Sequence, residues 1–257
     1  MLLSEWLKLR TYAPFWVLIA LYAVSLSGVV GVAVYLDYEG MQQANLAGLL
    51  GGHPVFQYPA AWQMVSYLAS YLQFIPALLV ILTTTNEFSF RTHRQNILDG
   101  WSRNQFLGAK LAVVAALTVF PTVTVAALTL IAAGINKQIP SPNGLEQLAA
   151  FALQTLVYQL FALLTAMVLR RAALAMAAFL LYSVILERIV FGLLCWKAPA
   201  ISYYLPLTAA NTVLLPPYTR EIPGVTLPDT YLLAAAAAGY GLLFVGVLWL
   251  KLRREDL

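Results

Sequence analysis

Charge is scarce and unevenly placed along this chain, and that limits the fold more than any other feature. Residues 14–36, 64–85, 111–135, 145–169, 172–194 and 230–250 form six predominantly apolar stretches. About 20 such residues, as helix, span the roughly 30 Å hydrocarbon core of a bilayer. Inside lipid every backbone N–H and C=O must be paired within the segment, so runs of this kind become helices. The expected fold is an all-α membrane protein with six transmembrane helices in a single transmembrane domain, residues 1–257. Composition agrees: 61% of the 257 residues are hydrophobic, only 10% are charged, and mean hydropathy is +0.77. Soluble domains carry about 25% charged residues. No length remains for a separate soluble catalytic domain.

The net charge of +4 comes from basic residues at the ends of the apolar stretches. That placement suits a membrane surface and argues against nucleic acid as a partner. One set of connections carries Lys8, Arg10, Arg91, Arg94, Arg103, Lys110, Arg170, Arg171, Lys251, Arg253 and Arg254. The other carries Lys137, Lys197 and Arg220. The positive-inside bias then expects both termini in the cytoplasm and the chain in the inner (cytoplasmic) membrane, which an even number of spans allows. The lone Cys195 excludes an intrachain disulfide. With His53 and His93 expected on opposite sides, no metal site is expected. For the same reason the sequence offers no Ser–His, paired-Asp or His-Glu-x-x-His arrangement for hydrolysis.

The connections carry their own signals. Residues 1–12 place Leu2, Leu3, Trp6 and Leu9 on one helical face, with Pro14 offering a break, which reads as an interfacial helix; the alternative is an extension of the first span. Pro121 is expected to kink the third span. The outer connection 197–229 holds Pro199, Pro206, Pro216, Pro217, Pro223 and Pro228, yet residues 201–215 stay apolar. Prolines at that spacing forbid a long helix. The segment is expected to be partly re-entrant between spans five and six, or to pack on the outer face.

Residues 86–110 form the one long polar segment near the middle of the chain. Asn86 and Glu87 suit the start of a short helix. Gly100 suits its end, and Ser102 with Gln105 spells a capping box for the next helix. A turn and cap of this kind are rigid; they fit either a handle that receives force or an ordinary capped hairpin. Inside the spans, Ser66, Ser70 and Gln73 recur at helical spacing, as do Gln154, Tyr158 and Thr165, flanked by Thr155 and Gln159. Polar groups at depth face other helices or a water-filled path. Glu187-Arg188 is the one charged pair within a span. It reads either as the outer boundary, with span five ending near Leu186, or as a candidate outer gate bonded to another span.

The order Asn86-Glu87, Arg91-Thr92, Gly100-Trp101-Ser102-Arg103 and Lys110 resembles the permease subunit of type-2 ATP-binding-cassette exporters, which share a fold with O-antigen exporters and G-subfamily multidrug transporters. Glu5-x-x-Lys8 and the closing Lys251-Leu252-Arg253-Arg254-Glu255-Asp256-Leu257 are similar to that family as well. The resemblance implies a cytoplasmic coupling helix over 87–98 that docks on a separate ATPase, with Glu87, Phe88, Phe90, Arg91, Arg94, Asn96 and Arg103 as coupling residues. It implies a second permease copy, as a homodimer or a heterodimer, and a pathway lined by spans two and five, which favours Ser70 and Gln73 over Gln154 among the pathway candidates Ser66, Ser70, Gln73, Gln154 and Tyr158. The chain has no Gly-x-x-x-x-Gly-Lys-Ser/Thr phosphate loop. It is thus expected not to be an enzyme and to hold no cofactor, with ATP and magnesium on the partner. The substrate expected is amphipathic or lipid-like. Two other classes remain: a membrane anchor or an immunity or secretion-complex subunit, and a small secondary transporter. No internal repeat supports the last of these.

Overall fold

The computed structural model describes residues 7, 9–42, 56–90, 100–219 and 226–254. Every regular element among them is helical. Helix α1 is Ala13–Gln42, with Pro14 in its first turn, where a missing N–H costs nothing. It runs past the expected end at residue 36. A break at Tyr12 separates it from helical residues 9–11. The remainder of the expected interfacial helix, including Leu2, Leu3 and Trp6, lies outside the described residues.

The expected second span is two helices, α2 (Ala60–Ser70) and α3 (Phe74–Ser89), bent by 46° at Tyr71–Gln73. Pro76 explains the break. It has no hydrogen to give the Leu72 carbonyl four residues back, and its ring crowds that carbonyl. The Ile75 N–H donates to Leu72 O at 3.0 Å instead. The reading of Ser66, Ser70 and Gln73 as one continuous helical face is therefore corrected, because Gln73 lies beyond the break.

Helix α4 (Arg103–Ile135) starts at the expected capping box. Gln105 N donates to Ser102 Oγ at 3.2 Å, and Ser102 N donates to Gln105 Oε1 at 2.8 Å. Pro121 lies inside α4 and orphans the Leu117 carbonyl. Helix α5 (Leu145–Leu169) repairs this, since Gln159 Nε2 donates to Leu117 O at 2.8 Å. Gln159 is fully buried, so no water could do the same. Gly144 precedes α5 at φ +96°, and a Cβ there would stand 2.9 Å from the Pro59 carbonyl oxygen.

Helix α6 spans Ala172–Lys197, with wider π-type turns over Leu181–Leu186. The helix thus continues past Leu186, where the boundary reading expected span five to stop. The connection after α6 contains α7 (Pro199–Ser202) and α8 (Pro206–Val213), and each opens on proline, as the first turn permits. Helix α9 (Thr230–Arg254) ends the described chain.

Five helices, α1, α4, α5, α6 and α9, are each long and apolar enough to cross a membrane; α2 and α3 pass together as a bent pair. This is the pattern of an integral membrane protein. Helix α5 is central and touches α2, α3, α4, α6, α8 and α9. Its apolar window is 61% buried, against 11% for α6, whose leucines and valines face outward. Arg103, Lys110, Arg170 and Arg253 gather at one end of the bundle, through contacts described below. At the other end Trp62 Nε1 donates to Ser141 O at 3.0 Å and Gln63 Nε2 to Leu215 O at 2.9 Å.

Candidate functional site

The α2–α3 break opens a cavity of about 560 Å³, closed on other sides by α5, α6 and α8. Tyr67, Ser70, Tyr71 and Gln73 reach it from the break, Gln154 and Tyr158 from α5. Helix α6 contributes Ser183, Val184, Glu187 and Arg188; α8 contributes Thr208 and Asn211. Of the sequence-predicted pathway residues, Ser70, Gln73, Gln154 and Tyr158 meet here. Ser66 does not. It is fully buried on α2 and lies outside the cavity wall.

The wall is ordered by α8. Asn211 Oδ1 accepts from Gln154 Nε2 at 2.7 Å, and Asn211 Nδ2 donates to Tyr158 Oη at 3.0 Å. Glu187 is buried, and its Oε1 accepts from the Leu207 N–H at 2.7 Å and from the Thr208 N–H. These are orphan donors at the start of α8, where a carboxylate also meets the positive end of the helix. Glu187 thus joins α6 to α8, in the connection between α6 and α9, rather than to another span. The hydroxyls of Tyr182 and Thr208 lie beside the carboxylate, within hydrogen-bonding reach of it.

The π turn sets this geometry. Ala175 and Phe179 mark the buried face of α6. Eight α-helical residues after Phe179, Glu187 would have turned about 80° away from that face. The wider i→i+5 turns over Leu181–Leu186 absorb the excess and return Glu187 inward. Arg188, the next residue, is exposed at the cavity and has no ion pair among the described residues.

The second constellation is the elbow between α3 and α4. Glu87 and Lys110 are both buried and form an ion pair at 2.7 Å. Asn86 and Glu87 sit in the last turn of α3, so the expectation that Asn86 caps a new helix is corrected. The Phe90 N–H donates to Asn86 O at 2.9 Å, which carries the helical pattern past both residues. Phe88 packs against the core, its ring under the Arg170 guanidinium at 5.3 Å. Arg103 Nη1 donates to Arg253 O at 2.7 Å. Trp249 Nε1 donates to Asn104 Oδ1 at 3.2 Å, with Arg253 over its ring. Phe90, by contrast, is 76% exposed. Glu87, Phe88 and Arg103 are thus engaged within the chain, and Phe90 projects outward. Arg91, Arg94 and Asn96 lie outside the described residues.

Sequence reasoning missed Asn211 and Thr208, because nothing in an apolar proline-rich connection marks which polar residue turns inward. It also missed Lys110 as the counter-ion of Glu87. Pro76 was the available signal for the break. No model of a known protein family matches the chain, and no curated protein sequence matches it.

Proposed function

We propose that this chain is the permease subunit of an ATP-driven exporter, with six spans (the bent α2–α3 pair counting as one) and both termini in the cytoplasm of an inner-membrane assembly. The observation that carries the reading is that one rod, α3, joins the two polar constellations. Its C-terminal end holds Glu87 in the elbow, and its N-terminal end starts at Gln73 in the cavity wall. At about 1.5 Å per residue the rod is about 24 Å long.

The arrangement has a mechanical consequence. A push on the elbow would move α3 and the start of α4 together, because the buried ion pair holds them. The turn at Tyr71–Gln73 is where a tilt of α3 would be absorbed, and that turn lines the cavity. Closure of two ATPase subunits on ATP and magnesium would supply the push, alternating the cavity between inward and outward access. A second permease copy completes the assembly. In this scheme Phe90, with Arg91, Arg94 and Asn96 beyond it, meets the ATPase, and Glu87 and Arg103 hold the elbow in shape. The pathway runs past Ser70, Gln73, Gln154 and Tyr158, with Glu187 and Arg188 as its outer gate.

The test is capture. The full chain, purified in mild detergent, is expected to bring down an ABC ATPase recognisable by its phosphate loop. Phe90→Glu is expected to lower that recovery at least roughly fivefold, an apolar contact worth about 1 kcal/mol or more. A chain that transports without any ATPase, or recovery unaffected by Phe90→Glu and by Arg91→Glu, would refute the scheme.

A further inference from the structure

We infer that Arg188 anchors a binding site for an anionic amphiphile, whose acid lies against the guanidinium in the cavity and whose chain lies along α6. Among the described residues the cavity wall holds two charged side chains, Glu187 and Arg188. They are consecutive on α6, so they point about 100° apart. The Glu187 carboxylate turns inward and is taken up by α8, through the Leu207 and Thr208 N–H groups. Arg188 stays exposed on the cavity side, with no ion pair and no hydrogen bond among the described residues. It is the charge of this wall left open to a ligand.

Depth makes an open charge costly. At about 1.5 Å per residue, Arg188 is about 24 Å from the start of α6 and about 14 Å from its end. Beyond it Ile189, Val190 and Leu193 are exposed and apolar, so the helix is still at hydrocarbon depth past Arg188. The distance to the nearer end exceeds the reach of one side chain, and the guanidinium cannot snorkel clear. An arginine so placed pairs with an acid or stands in water. The neutral groups of the wall favour the acid. The Tyr67 and Tyr71 hydroxyls bond each other, and two hydroxyls that share one hydrogen keep the second to donate. Asn211 Oδ1, an acceptor on the same wall, is already engaged by Gln154 Nε2. A planar guanidinium matches the two oxygens of a carboxylate or phosphate.

The chain of the ligand is placed by a second feature. An open groove of about 740 Å³ runs along α6 between Leu169 and Ile185, walled almost wholly by leucine, alanine, isoleucine and valine. Val184, four residues before Arg188, borders both this groove and the polar cavity. An acid in the cavity and an apolar chain in the groove therefore belong to one molecule. The inference rests on the permease reading only in calling the ligand a substrate. Binding itself needs no ATPase, so it can fail while ATPase capture succeeds, and the reverse.

The experiment is equilibrium gel filtration of the purified full chain in nonionic micelles with radiolabelled probes at equal mole fraction. The probes are a short-chain phosphatidic acid, the diacylglycerol with the same chains, and glycerol phosphate without chains. The two lipids differ in the phosphate alone, which a charge-assisted hydrogen bond converts to roughly tenfold in affinity. Phosphatidic acid is expected to be retained about tenfold better than the diacylglycerol, and glycerol phosphate poorly. Arg188→Gln is expected to erase the preference. Arg188→Lys, which keeps the charge without the planar fork, is expected to restore part of it. Arg171→Gln, exposed at the other end of α6, is expected to leave it unchanged. Ala177→Trp, which fills the groove, is expected to weaken both lipids. Equal retention of the two lipids, as a cavity in which water alone hydrates Arg188 would give, overturns the proposal. So does a preference that survives Arg188→Gln, one that is lost with Arg171→Gln, or binding of glycerol phosphate as strong as that of the lipid.

Discussion

Gln159→Leu isolates the cost of a proline inside a membrane helix. Leucine matches glutamine in size, so little volume is lost, but the Leu117 carbonyl loses the 2.8 Å hydrogen bond that replaces the one Pro121 cannot give. Residue 159 is fully buried, and water cannot step in. The loss is about 2 kcal/mol, the cost of a buried acceptor left unmet. For a chain of this size that lowers Tm by roughly 4–8 °C. The decisive measurement is a double-mutant cycle with Pro121→Ala. That substitution restores an N–H that can donate to Leu117 O along the helix, so in that background Gln159→Leu should cost under about 1 kcal/mol. The weaker contact between Thr118 Oγ1 and Gln159 Oε1, at 3.3 Å, is lost in both backgrounds and cancels. Thermal unfolding in detergent, followed by tryptophan fluorescence, reads all four variants. Equal costs in the two backgrounds would show that Gln159 does not serve the proline.

Lys110→Met removes a buried ion-pair partner from Glu87 and should destabilise the chain by roughly 1–3 kcal/mol, whereas Glu87→Leu combined with Lys110→Met should cost less than the two single changes summed, because the pair leaves as a unit; the same unfolding assay compares them. Gly144→Ala forces a Cβ to 2.9 Å from Pro59 O at a φ of +96° and should lower Tm by several degrees, roughly 1–3 kcal/mol. Ser102→Ala removes half of the capping box at the elbow, which should cost about 1 kcal/mol and speed hydrogen exchange at the first turn of α4.

Helix existence and type were legible because runs of apolar residues in lipid have one solution. The bounds 145–169 are those of α5, and Ser102–Gln105 capped α4 as its spacing required. What escaped were departures from regular helix within those runs. The π turn over Leu181–Leu186 has no proline, glycine or charge to mark it. None of its residues is buried, and the bond it serves lies just beyond it, at Glu187, so hydrophobic pattern alone reads straight through it. The break at Tyr71–Gln73 did carry a mark, Pro76, but a single proline within an apolar run reads equally as a first-turn residue or a breaker. The candidate site divides in the same way. Gln73, Gln154, Tyr158 and Glu187 stood out as polar residues in apolar stretches. Asn211 did not, since an asparagine in a proline-rich connection is ordinary until α8 turns it toward α5.

The buried polar groups of this bundle sort by what a low-dielectric interior demands of each. Gln159 answers a proline, and Lys110 pairs with Glu87; without Gln159 the Leu117 carbonyl loses the bond that stands in for the one Pro121 cannot give. A serine or threonine hydroxyl, such as Ser66 or Thr155, can turn about χ1 toward a carbonyl of its own helix at small cost. Amide and carboxylate oxygens have no such freedom, because an acceptor must be met by a donor from outside itself. Gln154 and Glu187 meet that demand in part through α8: Gln154 Nε2 donates to Asn211 Oδ1, and Glu187 Oε1 accepts from the Leu207 and Thr208 N–H groups. Leucine at either position would strip α8 of those partners, so both side chains act as struts between α8 and the bundle.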